Sequence, residues 1–134
     1  MLAEWNDSFS VGIAKIDDQH KILFQLINRL SDGIHEQRSR AVLGEAIEDT
    51  IQYTLEHFAT EEDLMREHGF PDIQKHQDEH NAMTAKLAGY KERYERGEAD
   101  FSMDLLMELI DWLHSHMGDT DALLKPFMNS RGVY

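Results

Sequence analysis

Apolar side chains recur along this chain at alternating intervals of four and three residues, the period of one face of an α-helix. The first stripe is Ile16, Leu23, Ile27, Leu30 and Ile34. It predicts a helix opening near Asp17-Asp18, residues suited to an N-cap and an acidic first turn. A second stripe, Leu43, Ile47, Thr50, Thr54 and Leu64, predicts a helix from about Arg40 to His68 that Gly69-Phe70-Pro71 terminates. A third helix starts near Asp72, carries Ile73, Met83, Leu87, Tyr90 and Tyr94, and ends around Gly97. A fourth starts near Phe101 or Ser102 and carries Leu106, Leu109 and Leu113, with Gly118 loosening it before Leu123-Leu124 and Phe127. Few β-branched runs interrupt stretches rich in Leu, Glu, Lys, Ala and Gln, so the expected class is all-α. Short connections force neighbouring helices antiparallel. The predicted architecture is an up-down-up-down four-helix bundle preceded by an N-terminal arm through about Ala14.

The stripes break in one consistent way. Histidine occupies a position reserved for an apolar side chain in all four helices: His20, His57, His76 with His80, and His116. The second helix adds Glu61, and no Lys or Arg on any stripe is available to neutralise it. An ionised carboxylate in a core needs a cation nearby. Folding the chain about its connections sets Glu61 level with His80, His20 with His57, and His80 with His116, each to about one helical turn, roughly 5 Å. His57 and Glu61 share a helix face, as do His76 and His80, each pair being four residues apart. Asp121 lies five residues beyond His116 and is the weakest member on spacing; either Gly118 between them gives the backbone room to relax, or Asp121 reaches in from the margin.

Composition narrows the chemistry. The 134 residues suffice for one core, and residues 1–134 are read as a single domain. There is no cysteine, which excludes thiolate metal sites, disulfides and cysteine nucleophiles and suits a reducing cytoplasm, the expected location. Histidine and carboxylate donors favour iron, zinc or manganese. The formal charge of -13 argues against nucleic acid and anionic membrane as partners. The acidic start, Met1 to Asp7, has no apolar run and is not read as a signal peptide, and no stretch approaches membrane-spanning length. The donors His20, His57, Glu61, His76, His80, His116 and Asp121 exceed what one ion uses. Two octahedral ions sharing two carboxylates and a solvent-derived oxygen leave six positions; five histidines fill all but one, and an open position admits a small ligand.

Four ordered motifs span nearly the whole chain: Trp5…Val11…Ile16-Asp17-Asp18-Gln19-His20, His57-Phe58-Ala59-Thr60-Glu61-Glu62, His76-x-x-x-His80 and Trp112-Leu113-x-x-His116-Met117-x-x-x-Asp121. Together they resemble the hemerythrin family, specifically its bacterial members. The resemblance implies a non-haem centre of two iron ions bridged by Glu61, Asp121 and an oxo or hydroxo group. It implies that His76, His80 and His116 hold one iron. His20 and His57 hold the other, which keeps the open position. It implies reversible dioxygen binding rather than catalysis, for carriage, storage or delivery to an unidentified oxygen-consuming protein. Phe58, Leu113 and Met117, with Phe24 and Trp112 as further candidates, are expected to wall the ligand pocket. Met117 departs from the branched aliphatic residue usual in the family.

His35, His68 and His114 lie off the histidine layer and are read as non-ligands, and Glu62 and Asp63 as a solvated face. Met65, Met83, Met103, Met107 and Met128 read as core or boundary filler. A ferritin-like oxidase would carry Glu-x-x-His pairs, which are absent. A zinc hydrolase would carry His-Glu-x-x-His, also absent. A phosphotransfer bundle would not explain a core glutamate. The competing readings are an oxygen sensor acting through a partner, or a di-iron enzyme turning over peroxide or nitric oxide.

Overall fold

Local signals mark the helix ends. Ser39 caps the second helix, its side chain accepting from the Val42 N–H at 3.3 Å. Gly69 closes that helix in the left-handed conformation (φ +70°), which lets the Phe70 N–H return to the Met65 carbonyl at 2.8 Å. The computed structural model describes residues 4–37, 39–98, 102–116 and 123–134. Among them are α1 (Ala14–His35), α2 (Arg40–His68), α3 (Ile73–Glu95), α4 (Ser102–Ser115) and the short α5 (Leu124–Ser130), with a 3-10 turn at Asp7–Phe9 and no strand. The fold is the all-helical bundle expected. α2 packs on α1 and α3, and α4 packs on α1. Pro126 lies in the first turn of α5, where its missing N–H has no intrahelical acceptor to lose. No described helix is long and apolar enough to cross a membrane.

One boundary differs from expectation. α1 opens at Ala14, three residues before Asp17, with Ile13 as N-cap and no side-chain cap. Asp17 sits in the first turn but serves the arm instead of the helix end. Its carboxylate accepts from the Val11 N–H at 2.8 Å and the Ser10 hydroxyl at 2.5 Å. The stripe of the predicted fourth helix lies on α4 and α5, and the expected loosening at Gly118 falls outside the described residues. The arm is held further by aromatic contact: Trp5 meets Phe24 edge-on at 6.0 Å, and Phe9 packs on Phe24 at 5.5 Å.

The apolar residues gather in two clusters. The larger includes Leu23, Phe24, Ile27, Ile47, Phe58, Met83, Leu87, Leu106, Leu109 and Leu113. The smaller joins the arm, α5 and the α2–α3 turn through Val11, Ile13, Ile16, Met65, Phe70, Leu124 and Met128. Along α1, His20 falls between Ile16 of one cluster and Leu23 of the other; along α2, Glu61 falls between Met65 and Phe58. The polar layer is thereby sealed on both sides. On α2 it is Met65 that is fully buried, while Leu64 is only partly so. Met103 and Met107 are exposed on α4, so of the methionines read as filler only Met65, Met83 and Met128 are core.

Candidate metal centre

Five histidines and one glutamate meet in the buried layer. His20, His57, Glu61, His76, His80 and His116 are each 2% exposed or less, which leaves these polar groups to one another rather than to water. Glu61 is the hub. Its Oε1 lies 2.6 Å from His57 Nε2, 3.0 Å from His116 Nε2 and 3.7 Å from His20 Nε2; its Oε2 lies 3.3 Å from His80 Nε2. His20 and His57 bring their Nε2 atoms within 3.1 Å. One donor atom from each of His20, His57, Glu61 and His116 falls within a span of 4.8 Å. His76 stands one helical turn from His80, with ring centroids 6.3 Å apart, at the edge of this group. Asp121 and Met117 lie outside the described residues.

Outer hydrogen bonds decide which ring nitrogen carries the proton. His57 Nδ1–H donates to Gln19 Oε1 at 2.8 Å. The Gln19 amide is oriented by its own donation to Thr60 Oγ1 at 3.0 Å, and the Thr60 hydroxyl donates to the Glu56 carbonyl at 3.1 Å. His76 Nδ1–H faces the Asp72 carbonyl at 3.4 Å, and His80 Nδ1–H faces Glu62 Oε2 at 3.3 Å. In a neutral imidazole so held, Nε2 presents a lone pair inward. Burial alone would raise the Glu61 carboxyl, but the His116 and His57 imidazoles facing it outweigh that and hold it well below the usual carboxylate range. Burial pushes His57 down in spite of Glu61 beside it. Ionised carboxylate and neutral imidazole are the metal-binding forms of both groups.

The donor set therefore fits a metal. Four imidazole nitrogens converge on the buried Glu61 carboxylate at 2.6 to 3.7 Å, so a cation seated among them would meet ligand atoms from several sides. Glu61 Oε2 and His80 Nε2 are buried and have no hydrogen-bond partner among the described residues. Aromatic rings close the layer: Phe58 stacks on His80 at 4.0 Å and 11°, and Trp112 stacks on His116 at 4.7 Å and 18°. Phe58 thus covers His80 more closely than its sequence neighbour His57, whose ring is 6.2 Å away. Phe24 belongs to the arm's aromatic cluster.

The histidines set apart in the sequence stay apart here. His35 is exposed and bonds the Ser31 carbonyl at 2.8 Å; His114 is exposed and stacks on Phe9 at 5.7 Å. Glu62 departs from its expected solvated face. It is 22% exposed, and its carboxylate is turned to His80, whereas Asp63 is exposed and pairs with Arg66 at 3.1 Å. Gln19, Thr60 and Glu62 carry no helical-stripe signal. The one hint in the sequence is adjacency, since Gln19 precedes His20 and Glu62 follows Glu61.

The described geometry is that of a buried cluster of histidine and glutamate inside a helical bundle, able to hold a cation. Residues 11–128 match the family described as hemerythrin HHE cation binding domain. The chain is 37% identical over 122 residues to a bacteriohemerythrin of Stenotrophomonas maltophilia, covering 90% of this chain and 78% of that protein. It is 30% identical over 122 residues to a bacteriohemerythrin of Methylococcus capsulatus, covering 91% and 92%. A crystal structure of wild-type hemerythrin superposes with a TM-score of 0.88 at 30% identity, over 94% of this chain and 97% of that one. The chain belongs to the hemerythrin family.

Proposed function

We propose that this single domain holds two iron ions and binds dioxygen reversibly as a carrier, store or delivery protein. In this reading His76, His80 and His116 hold one ion and His20 and His57 the other. Glu61 and Asp121, with an oxo or hydroxo group, bridge the pair. The observation that carries the proposal is Glu61, fully buried with four imidazole nitrogens within 3.7 Å and no Lys or Arg ion pair among the described residues. When bound in the reduced state, the iron pair supplies the electrons and the open position that dioxygen needs.

The protein's own contribution is positional and exclusionary. Gln19, Glu62 and the Asp72 carbonyl hold Nδ1 protons outward, so Nε2 stays available inward. Phe58 and Leu113, at 3% and 1% exposure, shield the layer from bulk water and stray protons, which favours release of unchanged oxygen over its reduction. Met117 is assigned to the same wall. No catalytic acid or base is required.

The test is metal analysis followed by an absorption spectrum of the reduced protein under argon, in air and under argon again. Two irons per chain and a visible band that appears in air and disappears on deoxygenation are expected. One metal or none per folded chain refutes the ligand assignment. Hydrogen peroxide released at every cycle replaces the carrier with an enzyme.

A further inference from the structure

The outer partners of the histidines are chemically unequal. Among the three whose Nδ1 contact is defined above, His76 faces a peptide carbonyl, His57 a carboxamide, and only His80 a carboxylate. The only ion pair of Glu62 among the described residues is with His80, and nearby Arg66 pairs with Asp63 instead. Gln19 is a deliberate neutral partner in the geometric sense. Because the Thr60 hydroxyl donates to Glu56, it can only accept from Gln19, so the amide oxygen must face His57.

We infer that Glu62 is a positioning and tuning residue that makes the two halves of the metal pair electronically unequal, through a carboxylate on His80 Nδ1–H that Gln19 does not supply to His57. The inference rests on the ligand assignment proposed above. A carboxylate accepting from an imidazole N–H draws the proton outward and leaves the ring with more anionic character, so its other nitrogen is a stronger donor. A stronger donor stabilises the more highly charged oxidation state. The half held by His76, His80 and His116 therefore gives up its electron at lower potential than it would with a neutral partner. The half held by His20 and His57 keeps a neutral Gln19 on His57.

Glu62→Gln separates this from simple orientation, because the amide oxygen still accepts from Nδ1–H and only the charge is removed. Redox titration of the iron-loaded protein should show one of the two one-electron steps moved to higher potential. Gln19→Glu should lower the other step. Asp63→Asn removes the same charge one residue away, from an exposed position, and should move neither. In zinc-loaded, diamagnetic protein, the His80 Nδ1 resonance in ¹⁵N NMR should shift in Glu62→Gln, and zinc affinity should fall by about 10- to 100-fold. Potentials unchanged in Glu62→Gln, or moved equally by Asp63→Asn, overturn the inference. If Glu62→Gln does not load iron, an unchanged potential in Gln19→Glu overturns it. Wild-type protein that binds fewer than two irons refutes the ligand assignment instead, which the same metal analysis reveals.

Discussion

Replacing Glu61 by Gln gives the sharpest test of the metal layer, because it keeps the shape and deletes the charge on which four imidazoles converge. Glu61 is fully buried, with His57, His116, His80 and His20 nitrogens at 2.6, 3.0, 3.3 and 3.7 Å. A ligand present at about 1,000 times its Kd stabilises the folded state by roughly 4.1 kcal/mol. If losing an anionic ligand weakens metal binding about 100-fold, the remaining stabilisation is roughly 1.4 kcal/mol, a loss of about 2.7 kcal/mol. For a domain of this size that is a fall of about 10 °C in the metal-dependent rise in Tm. The assay is differential scanning calorimetry of metal-free and metal-loaded protein, each variant referred to its own metal-free Tm, so that any effect on the bare fold cancels. His114→Ala is the control. Its exposed ring stacks on Phe9 at 5.7 Å, so it should lower both melting temperatures slightly and leave the metal-dependent rise intact. An undiminished metal-dependent rise in Glu61→Gln, or its loss in a folded His114→Ala, would show that the wrong helix face has been turned toward the metal.

Three further outcomes follow from the same structure. The folded-state values of His57 and Glu61 are both depressed, so the unfolded chain binds more protons. Metal-free protein should therefore lose stability as pH falls, first below about 6.5 through His57 and then below about 4.5 through Glu61; urea melts at stepped pH that show flat stability between pH 7 and 4 would contradict this. Leu113→Ala opens a cavity at a 1%-exposed position and should cost about 2–5 kcal/mol; iron-loaded protein should also survive fewer cycles of oxygenation, measured by loss of the reversible visible band, and an unchanged cycle lifetime would remove Leu113 from the wall. Gly44→Ala sets a Cβ against the Tyr94 hydroxyl, so that ring must swing aside and the gain of about 1 kcal/mol in helix propensity should be offset; in a Tyr94→Ala background the same substitution should stabilise by about that amount in a double-mutant cycle by chemical denaturation.

Periodicity and short connections carried the sequence to the bundle and to the buried layer of His20, His57, Glu61, His76, His80 and His116. A polar residue at a core position keeps the helical spacing of the apolar residue it replaces, and short connections bring such positions to one level. α2 is legible to its ends because Ser39 and Gly69 are local devices acting within a turn of the chain. Asp17 could not be placed that way. Its position in the first turn is local, but its acceptors are used by Ser10 and Val11, whose path is set by the arm. The same reason hides the outer partners of the imidazoles. Whether a side chain beside a ligand faces water or a ring nitrogen depends on the gap and rotation between two helices, which no single stripe encodes. Glu62 and Asp63 read alike in sequence; α3, packed on α2, sets Glu62 against His80 and leaves Asp63 to Arg66. Which atoms could bind metal was thus a property of spacing along each helix, while the protonation and electronic inequality of those atoms was decided only when the helices packed.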